Sequence, residues 1–97
     1  MKPVDFLPGA RLDFDASFDW YADRSYEVAM RFARAVDDAL TRIAATPDQY
    51  AAVDKRHHEC LVRRFPFRII DRIESDGLLV VAVAHAKRRP GYWKRRR

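Results

Sequence analysis

One cysteine, Cys60, is the whole thiol content of this chain. An intramolecular disulfide is therefore impossible, and a lone cysteine without a spaced partner makes no zinc-finger pattern. Such a sequence suits a reducing compartment. Long apolar runs are missing as well: the longest, residues 78–84, is far too short to span a bilayer. No charged-then-apolar leader opens the chain, so a cytoplasmic protein with no membrane association is expected. Nor is there a glycine-rich phosphate loop, a zinc-ligand set or a Ser-His-Asp arrangement. His57-His58-Glu59 resembles a metal tract only superficially, because neighbours on a strand point to opposite faces. No metal and no cofactor are expected.

What is present is a foldable chain with an uneven charge. Ninety-seven residues make one domain that can bury one core, and six Phe, four Tyr and two Trp argue against disorder. The net charge of +5 conceals a division. Residues 1–54 hold six Lys/Arg against ten Asp/Glu, whereas residues 55–97 hold thirteen against four. Seven of the last eleven residues are basic, a density that suits phosphates or an acidic protein partner, or else a solvated tail.

Periodicity divides the chain into elements. Residues 2–7 alternate as a short strand, with Pro8-Gly9 read as a turn. From Ala10 the step becomes helical: Ala10, Phe14, Ser17, Phe18 and Tyr21 share one face, while Asp15, Asp19 and Asp23 line a solvated one. A tight link near Asp23-Arg24 leads to a second helix capped by Ser25, with Glu27 in its first turn. Its core stripe is Ala29, Phe32, Ala33, Val36, Leu40 and Ile43, and Thr46-Pro47 ends it. Three strands follow at 58–65, 67–74 and 78–85, with Pro66 bending the chain and Ser75-Asp76-Gly77 turning a hairpin. The last strand is apolar on both faces, which places it inside the sheet. The expected fold is α+β in the order β-α-α-β-β-β, a helical hairpin on a mainly antiparallel sheet.

Several side chains are placed to act. Arg63, Arg64, Arg68 and Arg72 recur around two strands, and Arg68 and Arg72 share a sheet face with Ile70. If the helices leave that face open, it is either a shallow basic surface for phosphates or an ordinary wet sheet face. His85 ends the central strand as a general acid–base or a structural histidine. Lys87, Arg88, Arg89, Tyr92, Trp93 and Arg95 follow it, a mixture that suits stacking on RNA bases with arginines on the backbone. The alternative is that Tyr92 and Trp93 fold back as a lid. Residues 94–97 are expected to be dispensable for folding.

With these residues in place, the chain resembles the RelE/ParE toxin superfamily along nearly its whole length. The likeness runs through the opening strand into Ala10, then Trp20-Tyr21, Ala29-X-X-Phe32, Ile43-X-X-X-Pro47 and Arg64-Phe65-Pro66-Phe67-Arg68-Ile69-Ile70. It continues in Val81-Ala82-Val83-Ala84-His85-X-X-Arg88-X-Pro90-X-Tyr92-Trp93. The resemblance implies a toxin of a type II toxin–antitoxin system, one domain with a basic tail at 86–97, neutralised by a cognate antitoxin. Its target would be either mRNA on the ribosome, cut without a metal in the RelE manner, or DNA gyrase, inhibited in the ParE manner. For a nuclease, Arg68 and Arg88 match the arginine positions of the family, with His85 or Tyr92 moving a proton. The family often has Tyr where this chain has Asp71, which sets an acidic group beside Arg68. A non-toxic nucleic-acid or protein-binding module is the alternative on the same fold.

Overall fold

The computed structural model describes residues 3–97. Its elements are β1 (Val4–Phe6), α1 (Pro8–Ala22), α2 (Tyr26–Ala45), a short 3-10 turn (Pro47–Gln49), β2 (Ala51–Ala52), β3 (His58–Leu61), β4 (Phe67–Glu74) and β5 (Gly77–His85). The sheet runs β1-β5-β4-β3-β2; β1 is parallel to β5 and every other pair is antiparallel. The expected architecture is thus present, with one added edge strand. Two residues of β2 are too few to show a period, and only their pairing with His58 and Glu59 makes them a strand.

Local chemistry explains most boundaries and corrects two. Ser25 Oγ accepts the Val28 N–H at 3.3 Å and caps α2 as its sequence implies. Pro8-Gly9 is not a turn but the first turn of α1, where proline's missing N–H costs nothing. Gly9 has another consequence: a Cβ there would lie 2.7 Å from Arg96 Nε, so the Arg96 side chain would have to shift. The strand expected over 58–65 stops at Leu61. Beyond it Val62 N–H donates to Phe67 O (3.0 Å), Phe65 N–H donates to Val62 O (3.4 Å), and Arg64 adopts φ 71°. That left-handed residue turns the chain, so Arg64 belongs to a loop tip and not to a strand.

Two apolar layers result. Phe32, Val36, Ala39 and Ile43 of α2, with Ala10 of α1, pack on Ile69, Val80 and Val83 of the sheet. An aromatic knot closes this layer, with Phe32 to Phe67 at 4.9 Å and Tyr21 edge-on to Phe65 at 5.4 Å. The second layer lies on the opposite sheet face and contains Leu7, Ile70, Val81, Ala82, Ala84 and Trp93. A bulge feeds it: Ile70 pairs with Ala82 but Asp71 with Val80, leaving Val81 as the extra residue. This is why β5 is apolar on both faces. Because β1 pairs only with Leu78, Leu79 and Val80, the outer edge of β5 has no strand partner beyond Val80.

Candidate functional site

The C-terminal segment returns across the sheet face that the helices leave uncovered. Trp93 is only 4% exposed and its ring lies 4.7 Å from that of His57. It is part of the second core, clustered with Ile70, Ala82 and Ala84, so the base-stacking role is corrected and Trp93 is instead the lid that was its alternative. Next to it, one carboxylate gathers the tail. Asp13 Oδ2 accepts Arg96 Nη1 at 2.7 Å, Tyr92 Oη at 3.0 Å and the Val83 N–H at 3.1 Å, and Oδ1 accepts Arg96 Nη2 at 3.2 Å. Arg96 Nη1 also donates to Val81 O at 3.0 Å. Side chains thereby satisfy the strand edge that β1 is too short to reach. The tail end is consequently not free, since Arg96 ties it to α1 and β5, against the expectation for residues 94–97. Asp13 escaped the sequence reading, although lying three residues after Ala10 and four before Ser17 puts it on the flank of the buried helix face.

The four residues suggested for catalysis are each engaged. Tyr92 donates its hydroxyl to Asp13, and burial, with the Asp13 charge added, pushes its pKa up to about 12. Arg88 stacks on the Tyr92 ring, its guanidinium carbon 3.9 Å from the centroid. His85 stands edge-on to Phe67 at 4.9 Å, and its Nδ1 accepts the Lys87 N–H at 3.0 Å. Arg68 pairs with Glu59 at 3.3 Å across β3 and β4. Asp71 is not its neighbour: it lies on the other face of β4, fully buried beneath the helix layer, where burial raises its carboxyl to about 6 against the pull of His58.

The expected basic face is narrower than its parity suggests. Arg72 shares a face with Arg68 but is buried beside Glu74, 3.7 Å away, so it offers no open cation. Arg63, Arg64, Lys87, Arg88, Arg89 and Arg95 are exposed. Arg63 lies on the turn after β3, 3.9 Å from Asp38. Next to Arg68 a cavity of about 130 Å³ opens among Leu61, Val62, Phe65, Pro66, Phe67 and Ala86. Its other lining residue is Arg68, and Leu61 of the lining is an exposed leucine. Such a surface suits an apolar side chain flanked by acids.

No described helix is long and apolar enough to cross a membrane. No curated protein sequence matches the chain. A solved structure titled "Chromosomal ParDE TA system from P. aeruginosa" matches with a TM-score of 0.77 at 16% identity, covering 90% of this chain and 98% of that one. At that identity the likeness speaks for the fold. The family model described as "ParE toxin of type II toxin-antitoxin system, parDE" matches residues 4–90, from the opening strand to the proline after Arg88 and Arg89. Since that match takes in both helices, all five strands and the basic turn after β5, the chain belongs to the ParE toxin family of type II toxin–antitoxin systems.

Proposed function

We propose that this toxin acts in the cytoplasm by binding DNA gyrase in the ParE manner, and that a cognate antitoxin holds it inactive. It works as one domain whose cationic end, within 86–97, contacts its partners. The observation that carries this reading is the engagement of Tyr92. A phenol held on Asp13, its pKa pushed up to about 12, is a poor proton shuttle, and Arg68 is paired with Glu59. Those are two of the four groups suggested for a metal-free RNA cleavage, the others being His85 and Arg88. By contrast, exposed Arg63, Arg64, Lys87, Arg88, Arg89 and Arg95, with an apolar cavity beside Arg68, suit a protein surface. Arg88 leads them, because its stack on Tyr92 fixes the guanidinium plane before binding and lowers the cost of ordering it.

The test separates the two targets of the superfamily. Induction without antitoxin is expected to arrest growth and to alter plasmid supercoiling, while translated messages stay uncut. Cuts in translated messages with unchanged supercoiling would overturn the gyrase reading.

A further inference from the structure

Among the described residues, Arg88 is the one exposed cation of the C-terminal half that lies over an aromatic ring. It sits in the turn after β5, where its backbone N–H donates to His85 O at 3.0 Å. A turn fixes the backbone and leaves a long side chain its rotamers. No described carboxylate is paired with the Arg88 guanidinium. The Tyr92 ring, 3.9 Å away, is therefore what holds it, with the rest of the group open to a partner.

The ring is held in turn from far away in the chain. Tyr92 Oη donates to Asp13 Oδ2 at 3.0 Å. Asp13 belongs to α1, its side chain is 8% exposed, and it also accepts the Val83 N–H of β5 at 3.1 Å. A second guanidinium, that of Arg96, lies 5.0 Å from the same ring centroid. Unpaired, that charge would repel Arg88. Asp13 binds it at 2.7 Å, so one carboxylate both anchors the phenol and takes up the competing charge.

We propose that Asp13 and Tyr92 are positioning residues for Arg88, a relay that carries the fixed geometry of α1 and β5 out to an exposed guanidinium. Asp13 sets the Tyr92 ring, and the ring sets the guanidinium plane. This rests on the reading of Arg88 as the leading contact with gyrase, and it adds which residues make that contact effective. Without the Asp13 bond the ring swings, and Arg88 must be ordered afresh at each encounter.

Two measurements on the purified full-length chain test the relay. The first is the order of the arginine Nε–H groups by NMR relaxation. Arg88 is expected to be clearly more ordered than Arg89 in the parent, and to fall to the Arg89 level in Asp13→Ala and in Tyr92→Phe. Tyr92→Phe is the decisive variant, because it keeps the ring and leaves Asp13 bonded to Arg96 and Val83. Ile43→Val, a core change in α2, should lower the melting temperature and leave Arg88 ordered, which separates positioning from stability. The second measurement is affinity for purified gyrase, expected to fall about twofold to tenfold in Tyr92→Phe, the cost of one newly freed side chain. On an Arg88→Lys background, whose compact ammonium has no plane to hold, the same substitution should cost less. A parent in which Arg88 is as mobile as Arg89 overturns the proposal. So does an Arg88 still ordered in Tyr92→Phe, or an equal loss of affinity on both backgrounds. Failure of the parent to bind gyrase overturns the gyrase reading instead, and the arginine order then decides the relay alone.

Discussion

Replacing Asp13 with alanine isolates the contact on which the tail depends. The substitution removes the acceptor of the Val83 N–H, the Tyr92 hydroxyl and two Arg96 nitrogens at once. An orphaned buried N–H costs about 1–3 kcal/mol. Breaking a buried ion pair by deleting one partner costs about 3–5 kcal/mol when the remaining charge cannot reach water. Here the Arg96 side chain is 23% exposed and can swing outward, so the ionic part falls well below that figure. The sum expected is about 2–4 kcal/mol, discounted for this relaxation. In a domain of this size each kcal/mol moves the melting temperature by about 4–8 °C, so Asp13→Ala should melt about 8–32 °C lower. A double-mutant cycle with Arg96→Ala should then return a coupling of about 1–3 kcal/mol, because the two residues share one network. Thermal unfolding followed by circular dichroism measures all four proteins. A loss below about 0.5 kcal/mol, the scale of an ordinary surface change, would refute the latch.

Three further outcomes follow from the same geometry. Truncation after Arg95 should lower the melting temperature clearly, whereas Arg95→Ala should change stability by about 0.5 kcal/mol or less; equal behaviour would show that Arg96 anchors nothing. Arg88→Ala should abolish or strongly weaken growth arrest while costing about 0.5–1 kcal/mol of stability for the lost stack on Tyr92. Full toxicity of that variant in a stably folded protein would remove Arg88 from the partner surface. Asp71 is raised from 3.8 to about 6 by burial, so the native state holds this proton more tightly than the unfolded one. Its contribution is fully present below pH 3.8 and is lost as pH rises through about 6. Asp71→Asn should flatten the stability profile across that window, and an unchanged slope in chemical denaturation would show that another group sets it.

Much of the architecture was legible because it rests on local chemistry. Ser25 names the start of α2, the stripe from Ala29 to Ile43 names its buried face, and Asp76-Gly77 names the hairpin into β5. A two-sided apolar strand in the sequence, 78–85, became the inner strand between β1 and β4. The basic character of the C-terminal half was equally plain. Less legible was the use each cation is put to: Arg68 and Arg72 share a face, yet one is exposed on Glu59 and the other is buried beside Glu74. Parity gives the side of a sheet and says nothing of what later covers it.

The sequence by itself determined the helical hairpin, the order of the main strands and the separation of acidic and basic halves, since helical and strand periods and caps act over a few residues. Only the tertiary structure decided that Trp93 is core, that Tyr92 is spent on Asp13, and that Arg96 closes the open edge of β5. The partners Asp13 and Arg96 stand 83 positions apart along the chain. No local pattern spans that distance. They meet because β1 ends early, leaving backbone groups of β5 that must be satisfied by whatever the fold brings alongside.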